Sequence, residues 1–175
     1  MPFTISVIGS QVGLLRVVGT LEASEMPAYK QMYTSLYNQM SRFIIIYDTR
    51  EMDIPSLQLF KEKVNLVSKL KHRTCSQVMG VIVLTEFDFI KTLVSEIMRM
   101  SGQAAPFAIV TSVPSCIAKL RHWITIANGK TPPGMEHLVP KFSENPPASS
   151  AALLVLRFLQ FTRHFLSYYY VHQGR

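Results

Sequence analysis

The sequence predicts an α/β fold: a mixed, largely parallel sheet of about five strands with helical crossovers, extended by a C-terminal helical arm. Three observations predict it. Phe43-Ile44-Ile45-Ile46-Tyr47 and Met79-Gly80-Val81-Ile82-Val83-Leu84 are continuous apolar runs rich in β-branched residues, as a strand covered by helices on both faces requires, because neither face meets solvent. Around them, apolar residues recur every three or four positions, the period of an amphipathic helix. At 175 residues and 48% hydrophobic, the chain can bury one sizeable core and still carry an appendage.

Taken in order, Ile5-Ser6-Val7-Ile8 and Leu14-Leu15-Arg16-Val17-Val18 are short β-rich runs separated by Gly9 to Gly13, which predicts an opening hairpin. Tyr29, Met32, Tyr33, Leu36 and Met40 then mark a first helix, with Pro27 suited to its first turn. The run Phe43 to Tyr47 follows as the central strand, ending at Asp48. Leu57, Phe60, Val64, Val67 and Leu70 mark a second helix starting near Asp53 or Pro55, with Asp53 as its N-cap. After the strand Met79 to Leu84, a third helix carries Phe87, Ile90, Leu93, Val94, Ile97 and Met98 and stops at Gly102. Phe107-Ala108-Ile109-Val110 is the last strand; Pro114 opens a final helix bearing Ile117, Leu120, Trp123, Ile124 and Ala127, and Gly129 closes it.

This places one α/β domain at 1–129. Residues 130–150 hold Pro132, Pro133, Gly134, Pro140, Pro146 and Pro147 among polar residues, the composition of an extended linker. In 151–175, Leu154, Phe158, Phe161, Phe165 and Tyr168 share one face of an amphipathic helix, against a narrow stripe of Arg157, Gln160, His164 and Ser167. That apolar face needs cover, and Tyr168-Tyr169-Tyr170 suits an interface. It either folds back, self-associates, docks on another protein or lies on an acidic lipid surface.

The order hairpin, helix, buried strand, then Met52-Asp53-Ile54-Pro55-Ser56-Leu57 opening a helix, resembles the STAS domain family, in particular its SpoIIAA-like branch, over about residues 3–129. The resemblance implies helices packed largely to one side of the sheet and a non-catalytic interaction or regulatory role. Anti-sigma-factor antagonist members carry Asp-Ser-Ser-Gly at this turn, and a partner kinase phosphorylates the first serine. Here Asp53 is kept, Ile54 replaces that serine, Pro55 the second, and Ser56 stands at the glycine position. Asp53 and Ser56 therefore form the candidate regulatory turn. Ser56 is either a solvent-facing first-turn serine or a phosphate acceptor beside a helix N-terminus.

Catalytic readings fail on spacing. Gly9-Ser10-Gln11-Val12-Gly13 lacks the Gly-Lys-Ser/Thr ending of a phosphate loop and precedes a strand. His72, His122, His137, His164 and His172 contain no pair at helical ligand spacing, so no metal or other cofactor is expected. Asp48, Glu51 and Asp53 read as a solvated turn rather than a general-base or magnesium cluster. Cys75 and Cys116 form no Cys-x-x-Cys motif and read as buried structural thiols in a reducing, intracellular setting. Met1 to Thr4 do not begin a signal peptide, and Arg157, Gln160, Arg163 and His164 interrupt the nearest candidate membrane span.

The net charge of +7 is spread along the chain, with 13 cations to 9 anions in 1–129 and 5 to 2 in 130–175. Its one concentration, Lys69, Lys71 and Arg73 with His72, reads as a helix-terminal cluster or an anion contact. No stacking aromatics interleave it, which argues against sequence-specific nucleic-acid binding. The expectation is a non-enzymatic protein-binding or assembly component, structural or regulatory, soluble or within a larger complex and docking through its arm. A lipid- or membrane-surface-binding module is the alternative, since the related CRAL-TRIO fold shelters lipids; a phospho-regulated STAS-type regulator is the third.

Overall fold

The computed structural model describes residues 2–53, 55–101 and 104–128. They form strands β1 (Phe3–Ile8), β2 (Val12–Gly19), β3 (Phe43–Met52), β4 (Val78–Leu84) and β5 (Phe107–Val110). The helices are α1 (Met26–Gln39), α2 (Leu57–Lys69), α3 (Lys71–Gln77), α4 (Asp88–Ser101) and α5 (Val113–Asn128). The expected linker 130–150, the arm 151–175 and the stops at Gly102 and Gly129 lie outside the described residues.

The five strands make one sheet in the order β1-β2-β3-β4-β5. Only β1 and β2 run antiparallel; β2-β3, β3-β4 and β4-β5 are parallel, each crossover made by helix as parallel pairing requires. The all-apolar run Phe43 to Tyr47 sits at the centre of this sheet with every residue buried. Phe43, Ile45 and Tyr47 point into one core with Leu15, Val17, Val81 and Val83 and the buried faces of α1 and α2. Ile44 and Ile46 point the other way, with Val12, Leu14, Ile82 and Leu84, against Cys116, Leu120 and Ile124 of α5. A strand covered on both sides has no solvent face to alternate with, so alternation is absent from its sequence. The α4 helix covers the same face as α1 and α2: Ile90 enters that core, and Leu93 and Ile97 close a smaller cluster with Phe60 of α2.

Three local expectations change. The strand does not end at Asp48. It continues to Met52 because β2 goes on pairing with it beyond an irregularity between Arg16 and Val18, setting Val18 opposite Glu51 and Gly19 opposite Met52. The basic cluster expected at the end of α2 instead runs into a separate seven-residue helix, α3. Cys116 is buried as expected, whereas Cys75 is exposed on α3.

The covered face of α2 is wider than the expected stripe of Phe60, Val64, Val67 and Leu70, taking in Leu59 and Leu66 as well. Leu59, Leu66 and Leu70 enter the main core, while Phe60 and the half-buried Val64 turn toward α4. Gly80 has a packing reason to be glycine: a Cβ there would lie 2.4 Å from the Trp123 ring, so α5 rests directly on the β4 backbone.

Candidate functional site

The carboxyl ends of β2 and β3 and the start of α2 bring together the polar residues singled out at the strand exit. Asp48 and Arg50, two apart and therefore on one face of β3, form a fork: Arg50 Nε donates to Asp48 Oδ1 at 2.9 Å and Nη2 to Oδ2 at 2.8 Å. Asp48 is 2% exposed, and its hydrogen bonds raise the Arg50 pKa despite burial. Glu51 is salt-bridged to Arg16 of β2. Asp53 accepts a 2.7 Å hydrogen bond from the Thr20 hydroxyl, and its N–H donates to Gly19 O at 2.9 Å; Gly19 lies at φ +69, which a side chain would strain.

The reading of these acids as a solvated turn is thus corrected. Each is held by an intramolecular partner. The N-cap also shifts: Asp53 is committed to Thr20 across the sheet edge, and Ser56 Oγ accepts the Leu59 N–H at 3.2 Å. Ser56 sits in extended backbone immediately before the helix, as an N-cap must, with its side chain exposed.

Lys69, Lys71 and Arg73 do not join this turn. They lie past the far end of α2, whose 13 residues span about 20 Å. Lys69 and Lys71 are exposed. The Arg73 guanidinium donates to Tyr37 O and to Asn38 Oδ1, and Gln77 Nε2 donates to Tyr37 O and Met40 O. The work of α3 is therefore to satisfy the carbonyls that α1 leaves open at its C-terminus. The proposed docking residues Leu154, Phe158, Phe161, Phe165 and Tyr168 lie outside the described residues.

Beneath the turn is a feature the sequence reading missed. A partly open cavity of about 100 Å³ lies between the sheet, α1, α2 and α4, with Asp53 and Pro55 of the turn on its wall. Among the described residues its lining is almost wholly apolar, apart from tyrosine and threonine hydroxyls, Asp53 and one cation, Lys63. Lys63 Nζ donates a 2.6 Å hydrogen bond to the Tyr29 hydroxyl and lies 4.9 Å and 4.5 Å from the ring centroids of Tyr29 and Tyr47. Burial lowers its pKa to about 8, because an ammonium loses hydration that the rings only partly replace.

Tyr29 and Tyr33 stack at 6.0 Å, and Tyr33 stacks on Tyr47 at 6.2 Å. Burial pushes all three phenols above their ordinary pKa, so they remain neutral donors at physiological pH. The sequence did hold a signal for Lys63: with Leu59, Leu66 and Leu70 it falls on one helical stripe, an apolar stripe interrupted by a single cation.

No nucleophile and base are assembled at the described residues. Burial is the chief reason the Cys116 thiol is pushed up to about 12, with Asp48 adding to it, so Cys116 stays protonated and unreactive. Among the described residues no three His, Cys, Asp or Glu side chains cluster as metal ligands, and no helix is long and apolar enough to cross a membrane.

No protein-family model matches the sequence, and no curated protein matches it. Solved structures do match in three dimensions. A DUF3478-family protein from Shewanella loihica, described as having a SpoIIAA-like fold, superposes with a TM-score of 0.52 at 12% identity, over 67% of this chain and 91% of that one. The chain has a SpoIIAA-like fold. The anti-sigma factor antagonist SpoIIAA in its unphosphorylated form matches at a TM-score of 0.48 and 13% identity, over 69% of this chain and 96% of its own. An anti-sigma factor antagonist from Mycobacterium paratuberculosis matches at 0.45 and 12%, over 68% and 92%. In this SpoIIAA-like domain the helices divide between the two faces, with α5 alone on the side opposite α1 and α2.

Proposed function

We propose that the chain is a non-catalytic protein-interaction component in which the SpoIIAA-like domain is a rigid platform and the helical arm 151–175 is the docking element. One observation carries this reading. At the strand exit, where an α/β sheet usually places its chemistry, Asp48, Glu51 and Asp53 are each tied to a neighbour and Ser56 caps a helix. Groups held in this way give a preformed polar surface, as an interaction platform requires. The sheet is covered on both faces by the domain's own helices, whereas the Leu154, Phe158, Phe161, Phe165 and Tyr168 face carries enough apolar area in sequence to anchor an interface.

The experiment is capture from extracts of the native host with the full chain as bait, compared with a Phe158→Ser, Phe161→Ser, Phe165→Ser variant and read by mass spectrometry. A defined partner retained by the first and lost by the second supports the reading. Flotation of the full chain with acidic vesicles, abolished by the same substitutions, would favour the lipid-surface alternative.

A further inference from the structure

The cavity under the Asp53 turn carries an inference that does not depend on the arm. Its walls are supplied by α1, α2, α4 and the sheet, with Leu59, Phe60, Leu93 and Ile97 among the apolar residues. Among the described residues, the fold sets a single ammonium into these walls. Lys63 Nζ uses one of its three donors on the Tyr29 hydroxyl, and no carboxylate pairs with it among the described residues. Asp53, the acid on the lining, is bound by the Thr20 hydroxyl. A cation half-buried in an apolar wall is disfavoured unless an anion joins it. With a pKa near 8, Lys63 is still mostly charged at neutral pH.

We propose that this cavity is a binding site for a small amphiphilic monocarboxylate of the fatty-acid type, its carboxylate paired with Lys63 Nζ beside the Tyr29 hydroxyl and its alkyl chain against the apolar walls. Charge decides the head group. One cation balances a monoanion, and no second Lys or Arg lines the cavity among the described residues to balance a phosphate dianion. Shape decides the tail. At about 100 Å³ the space is two-thirds of the roughly 150 Å³ apolar cavity that accepts benzene, so it takes the head and the first few carbons. The rest of the chain leaves through the open side.

The test is calorimetric titration of the full-length chain with octanoate at neutral pH, beside octanol, octylammonium and inorganic phosphate. Octanoate is expected to bind one per chain, and the three comparison ligands at least about tenfold more weakly, the scale of one charge-assisted hydrogen bond. Lys63→Met should weaken octanoate by a similar factor while Lys63→Arg retains much of the binding, with folding of each checked by thermal unfolding. Leu93→Trp, which fills the cavity and leaves Lys63 in place, should also abolish binding. Octanol binding as tightly as octanoate, unchanged affinity in Lys63→Met, or no octanoate binding to the full chain would each overturn the proposal.

Discussion

Lys63 Nζ donates to the Tyr29 hydroxyl across 2.6 Å from inside an apolar wall, joining α2 to α1 through a cation that no carboxylate accompanies among the described residues. A lowered lysine pKa states that the native fold disfavours the charged form. Lys63 falls from 10.5 to about 8. Below pH 8 the lysine is charged in both folded and unfolded chains, and the full penalty applies. Above 10.5 it is neutral in both and the penalty is gone. Lys63→Met should therefore be more stable than the parent below pH 8, by on the order of 3 kcal/mol. The gap should close as the pH rises from 8 to 10.5. Urea unfolding of both proteins across this range checks it; a pH-independent gap would show that Lys63 is solvated.

The buried thiol and phenols have the opposite sign. Cys116, raised from 9.0 to about 12, stays protonated in the fold while the unfolded chain loses its proton, so its contribution to stability declines as the pH passes 9. Tyr29, Tyr33 and Tyr47, also raised, follow above 10. The parent protein should thus lose stability in strong base, and Cys116→Ala should lack the part that begins near pH 9.

Thiol reactivity separates the two cysteines. Cys75 is exposed and Cys116 buried, so one thiol per native chain should react promptly with a disulfide reagent. Cys75→Ser should abolish that phase, leaving a slow one limited by unfolding. A prompt second thiol would contradict the packing of α5 on the sheet.

Capping gives a fourth test. With Ser56 Oγ on the Leu59 N–H, Ser56→Ala should cost about 1 kcal/mol and Ser56→Asp should keep most of the stability, since aspartate caps as well as serine. Chemical denaturation measures both. A neutral Ser56→Ala would return the capping role to another residue.

The contact of Gly80 with Trp123 gives a fifth. Gly80→Ala places a methyl group 2.4 Å from the indole and should cost about 1–3 kcal/mol through overpacking. Adding Trp123→Leu should relieve part of that loss, so the two substitutions would be less than additive.

Sequence made the architecture legible where side-chain pattern and burial coincide. Ile44 to Ile46 and Val81 to Leu84 announce central strands because helices cover both of their faces, and Tyr29, Tyr33 and Leu36 announce α1 because one face of that helix is dry. It was silent where polar residues take regular structure through distant partners. The end of β3 is polar and looks like a turn, yet Glu51 and Met52 pair with β2, a long-range relation no local pattern carries. Asp53 looks like a cap until Thr20, 33 residues away, claims it. The short helix α3 exists to satisfy the end of α1, so nothing in Lys71 to Gln77 announces it by periodicity. In sequence Lys63 reads with Lys61 as part of the basic stretch before Lys69, because lysine on a helix ordinarily faces water; only its place on the stripe of Leu59, Leu66 and Leu70 marks it as different.

The proposal tested most directly is that this SpoIIAA-like domain engages partners through Phe158, Phe161 and Phe165 of the segment 151–175. Partner capture tests the capacity to bind; the most direct measurement is the mass of the assembled species. Light scattering or sedimentation of the full chain with its captured partner, or alone if it captures itself, should give a complex of defined stoichiometry. That complex should dissociate when Phe158, Phe161 and Phe165 are changed together to serine, with the thermal unfolding of the domain unchanged. An unaltered complex mass in that variant would contradict the account.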